Sequence, residues 1–574
     1  MKKIIVLSTA LVAMFAVSCK DSFLDVQPKG VLSTATLQNR AGVNYLLVGA
    51  YALMDGAGNN AGFSNWHGSA DNWIYGEVNS DNAYKGTIAG DQPEISLIEQ
   101  KLIQPDNNHF RGKWAIVYDG IARANDVMLL VDKVTELTDV EKTQIKAQAR
   151  FIRGHHHFEA KKIWNMVPYI DETVYNPDDL SSTKVPNDKD IWPNIEADYK
   201  FAYDNLPAKQ AQVGRPTKWA AAAMLGKAML YQKKYAEAKT YFDAIVASGQ
   251  YRLTAAYHDN FRAVMNNNSE SVFEVQHSVN DGAGGGENGN LGATLNYPYG
   301  GGGVTTCCGF YQPSQNLVNA FKTDKDGQPL FGTFNDTDVK SDQGLAITAA
   351  FTPDAGTFDP RLDWTLGRRG IQYLDWSVHP GQSWVRDQNY GGPFSPKKHV
   401  MYRSDVGTNT FSGNPRLNAN NYRMVRYAHV LLMLAECEVE LGNLTKAREL
   451  TNLVRNRAAN PAGFVKNSGV DAANYVIKEY PAAQFANVAS ARTAVRFETR
   501  LELAMEGHRF FDLVRWGIAA ETLNGYYAKE KAKRTYFNGV TFVAGKHEYF
   551  PLPLQEILNS QKGGVVTLKQ NAGY

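Results

Sequence analysis

The sequence predicts a mainly α-helical protein, in which a tetratricopeptide-like helical scaffold carries a large loop-rich ligand-binding part. Three observations support this prediction. Helical amphipathic patterns fill residues of about 109–250 and 422–520. Two stretches within these ranges repeat one spacing of small residues. The segments of about 55–105 and 280–420 are rich in Gly, Asn, Asp and Pro, which favour turns and loops.

The first eighteen residues predict a secretory signal peptide that is removed from the mature protein. Lys2 and Lys3 precede an apolar run, residues 4–17, that is too short to cross a bilayer. The run ends in AVSC, so Cys19 stands where a bacterial lipobox places the acylated cysteine. The alternative is an ordinary cleavage site beside a chance cysteine. We predict lipidation at Cys19 and a single structural unit over residues 19–574, with no later membrane-spanning segment.

Charge and aromatic content limit the classes of partner. The chain has 60 Lys and Arg residues against 58 Asp and Glu residues, a formal net charge of +2. Because this balance creates no overall positive field, we expect no nucleic-acid partner. Aromatic residues make up 11% of the chain, and many occur in Gly- and Asn-rich segments where helix packing cannot account for all of them. Exposed aromatic rings suggest a ligand that stacks.

The predicted scaffold has four helical blocks. Residues 109–164 include Thr138 and Glu141 in a capping-box pattern before a long amphipathic run. Residues 191–247 contain WAAAAMLGKAMLYQKKYAEAKTYFDAI, which follows the tetratricopeptide spacing at Leu225, Gly226, Tyr235, Ala238 and Phe242. Residues 422–458 repeat these offsets at Leu434, Ala435, Leu444 and Ala447, with Thr451 in place of Phe242. Such units need neighbours to bury their faces, so we predict stacked helical hairpins, with a fourth helical block over residues 492–516.

The stretch EGHRFFDLVRWG, residues 506–517, has the residue types of an active site. Its charged residues Glu506, Arg509, Asp512 and Arg515 are spaced three apart, so on a helix they alternate in sign along one side. Phe510, Phe511, Leu513, Val514 and Trp516 would pack on the core. We therefore interpret the stretch as a half-buried, salt-bridged helix in preference to a catalytic site.

Candidate metal and nucleotide sites have weak patterns. His155, His156 and His157 are consecutive, and on a helix they point about 100° apart. The glycine run 282–303 lacks the Gly-Lys-Ser/Thr ending of a phosphate loop. Asp324, Asp326, Asp336, Asp338 and Asp342 are similar to calcium-loop residues but lack the full spacing. The sequence predicts no cofactor, with calcium as the alternative that these aspartates leave open.

Several segments together resemble a known family. They are SFLDVQPKG after the lipobox, VRYAHVLLMLAECEVELGNLTKARELTNLVRNRA, RFETRLELAMEGHRFFDLVRWG, YFPLPLQEILNS and the terminal KQNAGY. The chain resembles the SusD/RagB family of Bacteroidetes outer-membrane lipoproteins over essentially its whole length. In that family the segment 506–517 is a signature of the fold and not a catalytic one.

The resemblance implies a surface glycan-binding lipoprotein of the outer membrane that is not an enzyme. Such a protein captures oligosaccharides or polysaccharides and delivers them to a SusC-like, TonB-dependent barrel transporter. One alternative is a surface binder of another nutrient, such as a peptide or a glycoprotein glycan. A glycoside hydrolase is a further alternative, although no GxSxG or HExxH motif occurs and sequence alone cannot locate paired catalytic carboxylates.

We expect glycan contacts from aromatic and charged residues of the loops. Sugar C–H groups stack on aromatic rings, and sugar hydroxyls take charge-assisted hydrogen bonds from Asp or Arg. For any one aromatic residue, packing under the surface is the alternative. The expected contacts are Trp66, Asp71, Trp73, Tyr75, Tyr297, Tyr299, Arg368, Trp384 and Tyr390.

The adjacent residues Cys307 and Cys308 predict a vicinal disulfide. Cys437 lies in an apolar helical run and is most simply a buried free thiol, which leaves Cys307 and Cys308 as each other's nearest partner in an oxidising environment. The bridge would lie in a glycine-rich loop near Tyr299, Phe310 and Tyr311. Two roles stay open: an apolar platform for a sugar ring, or a stiffener of the loop.

Overall fold

The computed structural model describes residues 34–57, 63–300, 304 and 307–574. The predicted signal peptide and Cys19 lie outside these residues. Helices account for 45% of the structure and strands for 9%, which confirms the mainly α-helical class. Within the described ranges no helix is both long enough and apolar enough to span a bilayer.

Ten long helices of the described chain build the scaffold. They are Arg40–Ala52, Asn108–Val131, Asp139–Trp164, Trp192–Asn205, Lys218–Tyr231, Tyr235–Ala247, Tyr427–Glu440, Leu444–Ala458, Val488–Leu503 and Ala519–Glu530. Shorter helices are Thr34–Leu37, Pro93–Glu99, Gln315–Ala320, Leu362–Thr365, Gln388–Gly391, Arg509–Arg515 and Leu554–Asn559, and a π-helical turn spans Trp73–Val78. The predicted block 109–164 is two helices separated by a turn.

The start of helix Asp139–Trp164 confirms the predicted capping box. The hydroxyl of Thr138 accepts the N–H of Glu141 at 3.3 Å, and the Glu141 carboxylate accepts the N–H of Thr138 at 2.9 Å. Two backbone N–H groups at the helix start thereby donate to side-chain oxygens of the same turn.

The two predicted hairpins are present and pack together. The first hairpin is Lys218–Tyr231 with Tyr235–Ala247, and the second is Tyr427–Glu440 with Leu444–Ala458. Gly226 lies against the Phe242 ring so closely that an added Cβ would come within 2.7 Å of it. In the second hairpin, the hydroxyl of Thr451 donates to the Ala447 carbonyl at 2.7 Å, which satisfies a polar group at the position of Phe242.

The strands of the described chain pair two at a time. The pairs that join distant segments are Ala83–Gly86 with Phe310–Pro313 and Ser271–Val275 with Tyr422–Arg426, both antiparallel, and Asn474–Tyr475 with Thr357–Phe358, parallel. The remaining pairs, all antiparallel, are Leu366–Gly367 with Ser395–Pro396, Gln372–Tyr373 with Ser377–Val378, Thr410–Phe411 with Asn414–Asn418, Lys466–Asn467 with Val470–Asp471 and Gln561–Lys562 with Val565–Val566. The pair of Ser271–Val275 with Tyr422–Arg426 also contacts the scaffold helices Lys218–Tyr231 and Tyr427–Glu440.

The residues of EGHRFFDLVRWG are structural, but not in the predicted arrangement. The helix begins at Arg509, so Glu506 lies before it, buried, and pairs with Arg426 and Lys398 from elsewhere in the chain. Arg509 pairs with Asp81 at 2.8 Å. The pair Asp512 with Arg515 is the part of the predicted charge ladder that forms. The ladder prediction was wrong for Glu506 and Arg509. Their partners lie far away in the sequence, so the local spacing of charges could not predict these pairs.

Candidate functional site

Six of the nine aromatic and charged residues predicted as glycan contacts have buried side chains. Their faces are turned into the protein, so the prediction that they meet a ligand at the surface does not fit the structure. They are Asp71, Trp73, Tyr75, Tyr297, Arg368 and Trp384.

Trp73 and Tyr75 belong to the main core, with exposed fractions of 0% and 1%. The Trp73 ring lies 5.7 Å from the Tyr311 ring, and its indole N–H donates to the Gly292 carbonyl at 3.3 Å. The Tyr75 hydroxyl lies within 2.9 Å of the carbonyls of His67 and His109. Both side chains have their polar atoms satisfied inside the protein.

The charged residues of this group are also internally paired. Asp71 accepts the Ser69 hydroxyl at 2.6 Å and the Trp73 N–H at 3.2 Å. Arg368 makes a two-pronged contact with Asp363 at 2.7 and 2.8 Å. These buried contacts fix the loops in place and use the Asp71 carboxylate and one edge of the Arg368 guanidinium inside the protein.

Tyr297 and Trp384 form a second, smaller core inside the loop-rich part. It also contains Val304, Tyr373, Leu374, Val400 and Met401. Several aromatic residues of the loops therefore pack in this cluster, under the protein surface, and do not face a ligand.

The remaining predicted residues are Trp66, Tyr299, Cys307, Cys308 and Tyr390. Cys307 and Cys308 are bonded to each other as a disulfide, as predicted, and joined by a cis peptide bond. Cys308 is buried, whereas the other four residues are partly exposed. These partly exposed side chains are available to a ligand without unfolding the loops.

Tyr299 lies on a segment that pairs with the segment containing the disulfide. The N–H of Gly309 donates to the Tyr297 carbonyl at 2.9 Å, and that of Phe310 to the Leu295 carbonyl at 3.3 Å, so segments 295–299 and 307–311 run antiparallel. An added Cβ on Gly309 would lie 3.2 Å from the Cβ of Tyr299. Tyr299 thus borders the segment that begins with Cys307.

Two arginines that the sequence analysis missed flank this pair. Arg386 lies over the Tyr299 ring and forms an ion pair of 2.5 Å with Asp91 and a hydrogen bond of 2.9 Å with Thr87. Arg416 contacts the Cys308 sulfur at 3.1 Å. The sequence offered one indication of Arg386 as a site residue, which is that it lies two residues after the predicted contact Trp384. We call Tyr299, Cys307, Cys308 and Arg386 the disulfide platform.

Tyr390 is connected to the platform through Asp91. Lys85 donates to the Asp91 carbonyl at 2.6 Å and lies 5.0 Å from the centre of the Tyr390 ring. The Tyr390 hydroxyl shares a hydrogen bond of 2.8 Å with Ser96, and burial raises its pKa, so it stays protonated at neutral pH. Trp66 has different neighbours, with its ring 6.3 Å from that of His67.

The residues weighed as metal ligands bond to the protein itself. Asp324 accepts the N–H groups of Asp326 and Gln328, which closes a turn. Asp336 pairs with Lys529, and Asp338 with Lys533. Within the part of the chain that the structure describes, no three His, Cys, Asp or Glu side chains are grouped as metal ligands.

The packed helical hairpins, together with a partly exposed aromatic and disulfide surface on the loops, define a tetratricopeptide-like scaffold protein with a candidate binding surface. Residues 269–574 match the model of the SusD family. Residues 22–230 match a second model described as starch-binding associating with outer membrane. The chain belongs to the SusD family, which confirms the resemblance found in the sequence.

Relatives and solved structures agree with this family. A SusD-like protein P25 from Formosa agariphila is 24% identical over 564 residues, which cover 94% of each chain. A SusD superfamily protein from Bacteroides vulgatus has a TM-score of 0.67 and 20% identity over 94% of this chain and 100% of its own. Surface glycan-binding protein A from Bacteroides thetaiotaomicron, solved with laminarihexaose, has a TM-score of 0.63 and 20% identity over 93% of this chain and 99% of its own. These structures share the fold.

Proposed function

We propose that this protein is a lipid-anchored, cell-surface glycan-binding protein that captures oligosaccharides and delivers them to a SusC-like, TonB-dependent barrel transporter of the outer membrane. Membership of the SusD family supports glycan binding, as do the names of its relatives. The proposal assigns no catalytic role to any residue.

The observation that carries the proposal is the disulfide platform. The Tyr299 ring and the neighbouring disulfide offer adjacent apolar surface, on which the C–H face of a sugar ring can rest. Arg386 within the platform and Asp91 at its border supply a donor and an acceptor for sugar hydroxyls. Tyr390 and Trp66 are further proposed contacts, because each ring is partly exposed.

Binding is tested with the soluble chain that begins after Cys19. Isothermal titration against a panel of oligosaccharides would start with laminarihexaose, the ligand of the related structure, and starch oligosaccharides. Tyr299→Ala should weaken binding by about 2- to 13-fold, because an aromatic contact contributes about 0.5–1.5 kcal/mol. The control is Tyr45→Ala on helix Arg40–Ala52, where Tyr45 is 67% exposed. Equal affinity in both variants, or no glycan bound by the wild type, contradicts the proposal.

Anchoring and delivery need separate experiments. Cys19→Ala should move the protein out of the outer-membrane fraction in cells that lack the transporter, since a lipid is then its proposed membrane attachment. Gentle detergent extraction of the wild type should recover a large barrel protein in near-equal amount. Recovery of the protein alone would argue against the transporter partnership.

A further inference from the structure

A small internal cavity lies where the loop-rich part meets the end of a scaffold helix. Its walls include Asn296 and Tyr311 from the two segments that carry the disulfide platform, and Lys397, Lys398 and Met505. The space open to the centre of a water-sized sphere is about 10 Å³. That volume is enough to hold one water molecule.

Three side chains that line the cavity, Asn296, Tyr311 and Thr365, have buried polar atoms without a hydrogen-bond partner among the described residues. Both the oxygen and the nitrogen of the Asn296 amide are buried and unpaired, and so is the Tyr311 hydroxyl. Asn296 is 6% exposed and Tyr311 3% exposed. Buried amides and hydroxyls without a partner cost free energy, so native proteins nearly always satisfy them with a protein group or an ordered water.

The charged side chains around the cavity are already hydrogen-bonded within the protein, which favours an uncharged ligand. Lys398 pairs with Glu506 at 2.6 Å and donates to the Ala504 carbonyl at 2.8 Å. Lys397 donates to the carbonyls of Asp363 and Gln372. Asp71, which also lines the cavity, accepts two hydrogen bonds from its own loop. Each of these three side chains therefore already has partners of its own within the protein.

The backbone of Tyr311 supports a fixed role for its side chain. Its φ is 58°, in the left-handed region that bulky residues rarely adopt. Such a conformation persists where the surroundings determine it. Packing of the Tyr311 ring against Trp73 and a hydrogen-bond partner for its hydroxyl would both favour this conformation.

We propose that the cavity is a binding site for an ordered water molecule, which joins the Tyr311 hydroxyl to the Asn296 side-chain amide. The water then fastens segments 295–299 and 307–311 to each other beneath the disulfide platform. The inference does not depend on glycan binding, because it follows from the cavity and its unpaired atoms.

A crystal structure of the soluble chain at about 1.5 Å tests the proposal directly. We expect a peak of electron density at about 2.7–3.2 Å from both the Asn296 amide and the Tyr311 hydroxyl. An unfilled cavity, or an Asn296 side chain that turns to a protein partner, would overturn it.

Long-lived internal waters, counted by oxygen-17 relaxation dispersion, provide a second test. Asn296→Leu keeps a similar side-chain size without polar atoms and should lower the count by one, whereas Asn389→Leu at an exposed position should leave it unchanged. If Asn296→Leu does not fold, Tyr311→Phe, which removes the other partner, should lower the count or shorten the water's residence time. An unchanged count and residence time in a folded cavity variant would overturn the proposal.

Discussion

The guanidinium carbon of Arg386 lies 5.1 Å from the centre of the Tyr299 ring. Arg386 is held in turn by Asp91 and Thr87. The cation therefore helps to fix the orientation of the partly exposed Tyr299 ring and covers part of its surface. This contact joins two loops that are far apart in the sequence.

We predict that Arg386→Ala weakens glycan binding by about 2- to 5-fold, because a partly exposed cation over an aromatic ring contributes about 0.5–1 kcal/mol. Isothermal titration measures the change. Arg403→Ala, at an exposed arginine of the same loop-rich part, is the control and should bind as the wild type does. Unchanged affinity in Arg386→Ala would remove this residue from the proposed site.

The pairing of the cysteines predicts a defined number of reactive thiols. The soluble chain that begins after Cys19 keeps three of the four cysteines. We expect one alkylated thiol, Cys437, in the unfolded but unreduced protein, and three after reduction, as measured by mass spectrometry. In the native state Cys437 should not react, because it is buried and burial raises the pKa of its thiol. Three reactive thiols without reduction would disprove the disulfide.

The double variant Cys307→Ser with Cys308→Ser separates the two roles considered for the bridge. A platform role predicts a loss of glycan affinity with a nearly unchanged melting temperature. A stiffening role predicts a lower melting temperature with intact affinity. Titration and thermal unfolding of the same preparation distinguish the two.

We predict that Asp81 makes stability depend on acid pH. Burial alone would raise its pKa, but Arg500 at 3.1 Å and Arg509 at 2.8 Å lower the pKa of Asp81 to about 2. Because the unfolded value is about 3.9, the stabilisation is present above that pH and is lost as the pH falls through about 2. Linkage gives a loss of roughly 2 kcal/mol between pH 7 and pH 2.

Urea unfolding of the wild type and Asp81→Asn at several pH values measures this dependence. At pH 7 the variant should be less stable by about 3–5 kcal/mol, since it leaves two buried arginines without their carboxylate. The difference should shrink toward pH 2. Asp336→Asn, at a solvent-exposed ion pair, should differ little from the wild type at any pH. A difference for Asp81→Asn that stays constant with pH would contradict the assignment.

Two glycines should respond in opposite ways to alanine. Gly226→Ala should destabilise the protein by about 1–2 kcal/mol, because the new methyl group would come within 2.7 Å of the buried Phe242 ring. Gly525→Ala, on helix Ala519–Glu530 with open space around it, should stabilise by about 0.5–1 kcal/mol through helix propensity. Denaturant titration compares them. A stabilised Gly226→Ala would show that the first hairpin packs less tightly than described.

The scaffold is more predictable from the sequence than the candidate site is. The structure of residues 218–247 is predictable from their own sequence. The period of the apolar residues favours helices, and Gly226 permits the close approach of Phe242. The capping box at Thr138 and Glu141 is equally local. The cysteine pair was predictable for the same reason, since its members are neighbours in the chain.

The sequence did not show which loop aromatics are buried and which are partly exposed. Trp73 and Tyr299 occur in similar loop-rich sequence, yet Trp73 is fully buried against Tyr311 and Tyr299 is partly exposed. Their difference depends on which distant segments cover them, and no local pattern encodes that choice. Arg386 was missed because its partner Asp91 is nearly three hundred residues away.

By itself the sequence determined the helical class, the repeated hairpins, the family and the chemistry of the adjacent cysteines, since each depends on residues that interact over short chain distances or on recognisable motifs. The tertiary structure alone decided which rings stay exposed, which carboxylate each buried arginine meets, and where Arg386 lies on Tyr299. The physical reason is that burial and charge pairing are settled between segments that meet only after folding, when packing and desolvation select one set of partners from many local candidates.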